Sequence, residues 1–207
     1  QRINAGGSAH TDTLGNLWEA DSDNAYYNGG YMFSRGWAVS GTEDDKLYRS
    51  SRWSYGTLIY QIPVLSVPGD HQVTLHFAEM YFDGEGSRVF DVTAEGIEVF
   101  DNLDIVKEAG ASASALILSK IVTVSDGYLT VKFTKHYQNP MISAIEVCTT
   151  ASLSATPNAS LSPSALPSAT PSKSPITTAS PSAHHIAFPS ASPSASPITG
   201  PSAAPST

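Results

Sequence analysis

Four stretches of this 207-residue chain place aromatic or amide side chains where strands run out into loops. They are NGGYMF with Tyr31, SSRW with Trp53, EMYFDGEG with Tyr81 and Phe82, and KHYQNP, in which Gln138 precedes Asn-Pro. A ring on a loop can pack against the C–H face of a sugar while nearby amides and acids bond its hydroxyls. The pattern favours a carbohydrate-binding rim. The alternative is that each ring caps the core of a sheet.

Motifs of catalytic chemistry do not occur in the sequence. It contains no GxSxG, HExxH, P-loop or CxxC motif. Glu79, Asp91 and Asp104 are separate acids near predicted strand ends, and their spacing does not pair any two as acid and base. Four histidines show no metal-ligand spacing and are interpreted as polar strand or loop residues: His10, His71, His76 and His136. We therefore predict that the chain is not an enzyme and uses no cofactor.

One acidic stretch is a candidate for a metal. EADSDN at 19–24 places Asp21 and Asp23 close together, and carboxylate oxygens are the ligands that calcium prefers. The stretch lacks the glycine and the distal glutamate of an EF-hand loop. We favour a solvated turn over a calcium site.

Composition divides the chain into a head, residues 1–148, and a Ser/Thr/Pro-rich arm, residues 149–207. The chain has 19 Asp and Glu against 11 Lys and Arg, for a net charge of −8, and Lys173 is the one charged side chain of the arm. An acidic head disfavours binding to nucleic acid or to anionic membrane surfaces. The sequence has no apolar run long enough to predict a membrane span. A single cysteine, Cys148, allows no disulfide within the chain.

Short β-branched and aromatic runs, several alternating with period two, fill the head and predict strands. In HQVTLHF, alternate side chains from Val73 to Phe77 should face the core. Asp126-Gly127 predicts a hairpin turn, and AEGI at 94–97 predicts a second tight turn. Many short strands with close turns predict an all-β fold, an antiparallel jelly-roll-like β-sandwich.

Several stretches of the head, in order, resemble the malectin and malectin-like family: INAGGSAHTD, EDDKLYRSSRW, LHFAEMYF, RVFDVTAEG and HYQNPMISAIEV. The resemblance implies a β-sandwich that binds glucose-containing glycans. It assigns sugar contacts to Tyr31, Trp53, Tyr81 and Phe82. The family has a carboxylate before Asn-Pro, whereas this chain has Gln138, which lacks charge-assisted hydrogen bonds.

The arm repeats proline every fourth residue in two blocks, which favours extended polyproline II conformation. Its composition is typical of glycosylated stalks, and Asn158 begins the one N-glycosylation sequon. Further candidate glycosylation sites are Ser164, Pro167, Ser172, Ser190, Pro193, Ser194 and Pro197. The alternative is a flexible linker.

The arm also contains HHIAF, in which Ile186 and Phe188 alternate and could add to a sheet edge of a neighbouring copy. Head-to-tail contacts of this kind propagate into filaments. We therefore hypothesise a structural subunit of an extracellular glycoprotein filament, with copies of itself and glycans as partners. The alternative is a secreted or wall-bound lectin with the arm as a spacer. Both hypotheses place the protein outside the cell.

Overall fold

Strands make up most of residues 1–21, 26–65 and 67–150, which are the residues that the computed structural model describes. The strands are β1 (Arg2–Asn4), β2 (His10–Thr11), β3 (Leu17–Ala20), β4 (Tyr31–Ser34), β5 (Ser50–Trp53), β6 (Thr57–Pro63), β7 (Gly69–Phe77), β8 (Val89–Ala94), β9 (Ile97–Leu103), β10 (Leu116–Val124), β11 (Tyr128–Tyr137), β12 (Met141–Ile142) and β13 (Ala144–Thr149). A 3₁₀ helix spans Asp45–Tyr48, and a short α-helix, α1, spans Ile105–Ala109. The predicted all-β sandwich is confirmed.

The strands form three sheets. The largest has the order β10-β7-β13-β1-β3-β2, the second has β6-β11-β8-β9, and a small sheet has β12-β5-β4. Among the described strands, β1 and β3 pair in parallel and the other pairs are antiparallel. Within the described residues, no helix has the length and hydrophobicity needed to cross a membrane.

The core lies between the two larger sheets, as the alternation in β7 predicts. Val73, Leu75 and Phe77 are all at most 3% exposed. The ring of Phe77 meets those of Phe90 and Phe133 from the facing sheet, with centroids 6.0 and 6.4 Å away. Because these rings are offset or edge-on, they gain both buried apolar area and favourable ring geometry.

The opposite face of β7 is covered as well. His76 packs edge-on against Trp18, with ring centroids 5.2 Å apart, and its Nδ1 lies 2.9 Å from the hydroxyl of Tyr48. Burial lowers the pKa of His76 to about 4 and raises the pKa of Tyr48 to about 12. His76 is therefore a buried, neutral imidazole: it lies on a strand face, as predicted, and that face is covered by Trp18 and Tyr48.

The two predicted turns have different outcomes. Glu95 and Gly96 have φ values of 52° and 75° and join the paired strands β8 and β9, so this tight turn is confirmed. The hairpin predicted at Asp126-Gly127 is wrong, because β10 pairs with β7 while β11 pairs with β6 and β8. The turn instead carries the chain from one sheet to the other.

The residues predicted for glycosylation, from Asn158 to Pro197, and the anchor residues Ile186 and Phe188 lie outside the described residues. The boundary drawn after residue 148 stays a prediction; β13 itself extends to Thr149.

Candidate functional site

A cleft of about 260 Å³ opens where β5, the loop after β7 and the segment after β11 come together. Four of the residues predicted to contact sugar line it: Trp53, Tyr81, Phe82 and Gln138. They come from three separate stretches of sequence, and the small sheet β12-β5-β4 brings them together by pairing Met141 with Trp53. The predicted rim is thus a single cleft.

The first wall of the cleft is built on β5. Trp53 ends this strand and Tyr55 follows two residues later, so both rings line the cleft, 5.0 Å apart. Tyr31, the fifth predicted residue, pairs with Trp53 across β4 and β5 and stacks on its ring at 4.8 Å with an interplanar angle of 28°. Tyr31 therefore supports the Trp53 ring and does not itself line the cleft.

The second wall is the loop that follows β7. Tyr81 is 61% exposed and meets the ring of Phe82 edge-on at 4.8 Å. Phe33, on β4, approaches Tyr81 at 6.1 Å and closes the wall towards the small sheet. Two pairs of aromatic residues thus line the cleft, Trp53 with Tyr55 at the end of β5 and Tyr81 with Phe82 in the loop after β7.

A buried ion pair holds the second wall in place. Glu79, 1% exposed, accepts hydrogen bonds at Oε1 from the backbone N–H groups of Tyr81 and Phe82, at 2.9 and 3.1 Å. Its Oε2 lies 2.6 Å from Nε of Arg88. The Arg88 guanidinium also lies 5.1 Å from the centroid of the Phe82 ring. Glu79 and Arg88 therefore fix the aromatic loop and neutralise each other's charge.

Gln138 forms an exposed part of the rim in an unusual backbone conformation. Its φ of 60° lies in the left-handed region, which is uncommon for a residue with a Cβ. Arg88 holds this segment in place, because its Nη1 donates to the carbonyl oxygen of Asn139. The same arginine thus positions both the aromatic loop and the amide side of the cleft.

Sequence reasoning predicted four of the twelve residues that line the cleft, and Tyr55, Phe33 and Arg88 are among those it missed. Tyr55 follows Trp53 with the alternation of a strand, a signal that could have predicted it. Phe33 follows Tyr31 with the same alternation. Arg88 carries no local signal, because its role depends on Glu79, nine residues away, and on Asn139, 51 residues away and beyond four strands.

The structure assigns Asp21 to a different role from calcium binding. It is 1% exposed, and Arg52 donates to both of its oxygens, at 2.6 and 2.7 Å. The hydroxyl of Tyr60 donates to the same carboxylate at 2.7 Å. Asp21 is thus neither a free oxygen ligand nor part of a solvated turn. Asp23, the other calcium candidate, lies outside the described residues.

The fold and the cleft define a β-sandwich domain with an aromatic cleft at one end. The family model of the Malectin domain matches residues 1–145. The chain therefore belongs to the Malectin domain family, a family of carbohydrate-binding domains, and the predicted resemblance is confirmed.

Comparison with a curated relative agrees with this membership, and comparison with solved structures agrees with the fold. Malectin from Danio rerio is 31% identical over 160 residues, covering 70% of this chain and 56% of that protein. The chain thus spans about half the length of this curated relative. The ANXUR1 extracellular domain from Arabidopsis thaliana superposes with a TM-score of 0.65 at 15% identity, covering 72% of this chain and 47% of that one. A β-glucuronidase from Bacteroides uniformis has a TM-score of 0.62 at 19% identity, covering 72% and 18%.

Proposed function

We propose that the head is a lectin that binds an uncharged, glucose-containing glycan in the aromatic cleft. The observation that carries the proposal is the pair of aromatic walls, Trp53 with Tyr55 and Tyr81 with Phe82. Such rings suit the C–H faces of a pyranose, while the amides of Gln138 and Asn139 at the rim suit its hydroxyl groups.

The charge of the cleft favours a neutral ligand. Among its described lining residues, Glu79 and Arg88 carry charge, and each already bonds the other. A phosphate or carboxylate ligand would need a cation that is free to bind it. A neutral polyol needs only hydrogen-bonding groups and an apolar surface, which the cleft provides.

The same residues favour binding over hydrolysis. Glycosidases of the common types use two carboxyl groups on opposite sides of the scissile bond. Within the described lining of the cleft, Glu79 is the one carboxylate, and it is occupied by Arg88 and by two backbone N–H groups. These contacts support a binding module.

Isothermal titration of the full-length chain with glucose disaccharides of different linkage tests the lectin proposal. We expect one saturable site, with Trp53→Ala and Tyr81→Ala each weakening binding by about tenfold or more, because each removes one stacking surface. Tyr128→Ala is the matched control, since Tyr128 is 53% exposed and lies outside the cleft. If the unmutated chain binds none of the disaccharides, or if all three variants bind alike, the proposal fails.

Restoring the family carboxylate should strengthen binding. We expect Gln138→Asp to tighten disaccharide binding by about fivefold, because a hydrogen bond to a charged acceptor contributes about 1 kcal/mol more than a neutral one. Aspartate also tolerates the left-handed conformation at this position better than glutamine does. Gln138→Asn is the control that changes backbone preference without adding charge. Equal affinities for the Asp and Asn variants would show that charge plays no part.

We also infer that the protein acts outside the cell, as a filament subunit whose heads are linked through the arms. The extracellular origin of the superposable ANXUR1 domain supports the location. The spacing of Ile186 and Phe188, alternate apolar residues in a segment poor in them, supports the assembly role.

Deletion of residues 184–188 tests the assembly role. We expect electron microscopy of the secreted full-length chain to show fibres, and the deletion variant to give separate heads with an unchanged melting curve. Scrambling the same five residues while keeping Ile and Phe on alternate positions is the control and should preserve fibres. Fibres from the deletion variant, or single heads from the unmutated chain, would contradict the proposed assembly role of residues 184–188.

A further inference from the structure

Three side chains of types that can bind a metal lie close together on the four-stranded sheet, one on each of three adjacent strands. Asp91 lies on β8, Asp101 on β9 and His136 on β11, with β8 in the middle. One ligand atom from each, a ring nitrogen or a carboxylate oxygen, lies within 4.8 Å of the other two. Nε2 of His136 is 2.5 Å from Oδ2 of Asp91. The cluster is separate from the aromatic cleft, whose lining includes none of the three.

Both outer strands present their ligand at an irregularity of the ladder. On β11 the pairing register shifts at His136, which is the extra residue of a bulge. On β9 the register shifts so that Asp101 and Asn102 together stand opposite Asp91, and Asn102 has a φ of 48°. A bulge changes the direction of a side chain relative to a regular strand. Two separate bulges thus turn an acid and an imidazole towards the same central carboxylate.

The charges of the cluster favour a cation. Asp91 is the central residue of the three, and its Oδ1 accepts a hydrogen bond from the backbone N–H of Asn102 at 2.9 Å. A second carboxylate, Asp101, lies close to it, and two like charges at this distance repel. A divalent ion would balance both.

We propose that Asp91, Asp101 and His136 bind a divalent transition-metal ion of the zinc type. Imidazole and carboxylate together are common ligands of zinc, whereas calcium and magnesium prefer oxygen ligands alone. Three protein ligands leave the remaining position to water. The side chain of His136 is 45% exposed, so the ion can enter from solvent.

Calorimetric titration of Zn²⁺ into the EDTA-treated, dialysed full-length chain tests this site. We expect saturable binding that weakens at least tenfold in both His136→Asn and Asp101→Asn, since loss of a second-shell partner alone costs about 10- to 100-fold. His10→Gln is the matched control. Nε2 of His10 lies 2.8 Å from Asp44, but this pair belongs to no three-ligand group among the described residues. The control should keep the tight site.

The adjacent His184 and His185 of the arm can also bind zinc, so the variant His184→Gln/His185→Gln is titrated in parallel. Retention of the tight site in this variant, together with its loss in both cluster variants, supports the proposal. Loss only in the arm variant, or no zinc binding by the unmutated chain, overturns it. Melting curves in EDTA show whether the two cluster variants are folded. Because the two substitutions lie on different strands, the proposal can still be tested with one variant if the other does not fold.

Discussion

Replacing Asp21 with asparagine should lower the free energy of unfolding by about 3–5 kcal/mol. The substitution keeps the size of the side chain but removes its charge, so the buried guanidinium of Arg52, 3% exposed, loses the carboxylate that pairs with it. It also weakens the acceptor for the buried hydroxyl of Tyr60. Breaking one side of a buried ion pair is costly because the remaining charge stays desolvated.

Urea unfolding at neutral pH measures this loss, and two variants make it specific. Asp45→Asn is the matched control, since Asp45 pairs with Arg49 at 2.5 Å but both side chains are about one third exposed, at 31% and 35%. Exposed pairs contribute up to about 1 kcal/mol, so this variant should change little. Adding Arg52→Met to Asp21→Asn should recover part of the loss. Equal losses for Asp21→Asn and Asp45→Asn would contradict the expectation.

The second large effect is a loss of stability in acid that depends on His76. Its pKa falls from 6.5 to about 4 in the folded chain because burial penalises the charged ring. Between these values the unfolded chain binds one proton more than the folded chain. The free energy of unfolding should therefore fall as pH falls from about 6.5 to about 4, by about 3 kcal/mol in total, and this group should add no further loss below that.

Comparing unfolding at pH 7.5 and pH 4.5 for the unmutated chain and for His76→Phe isolates this contribution. The phenylalanine variant should be the less stable of the two at pH 7.5, because the hydroxyl of Tyr48 loses its partner. It should lose about 2–3 kcal/mol less on acidification. Tyr48→Phe is the control that removes the same hydrogen bond but keeps the titrating ring, and it should retain the acid loss. Parallel pH profiles for the unmutated chain and His76→Phe would show that His76 is not the cause.

The elements that sequence alone predicts are those set by local pattern. The alternation through Val73, Leu75 and Phe77 predicts which face of β7 enters the core. Glu95-Gly96 predicts a turn because the positive φ values of a tight turn depend only on the residues of the turn itself. The aromatic side chains of the cleft are predictable for the same reason, since each sits beside its own strand end. Sequence does not show that the three stretches meet, because strand pairing across the sandwich brings them together.

The predictions that failed concern features set by contacts between residues far apart in the sequence. Asp126-Gly127 has the residues of a hairpin turn, but β10 pairs with β7, whose partner residues lie 39 to 55 positions earlier in the chain. Asp21 is predicted to lie in a solvated turn, but the fold buries it against Arg52 and Tyr60. The bulge that places His136 beside Asp91 has no signal in sequence, since a register shift is a property of two strands and not of one.

The pairing of β1 with β13 determines how the head can be presented to its surroundings. The amino group of Gln1 donates to the carbonyl of Val147, and Thr149 pairs with His71 near the start of β7, so both ends of the head lie at the same end of the sandwich. β7 runs from this point to Phe77, six residues or about 20 Å further along at 3.3 Å per residue, and Glu79 of the cleft lining follows in the next loop. An attachment at either end of the head would therefore lie at the end of the sandwich away from the aromatic cleft.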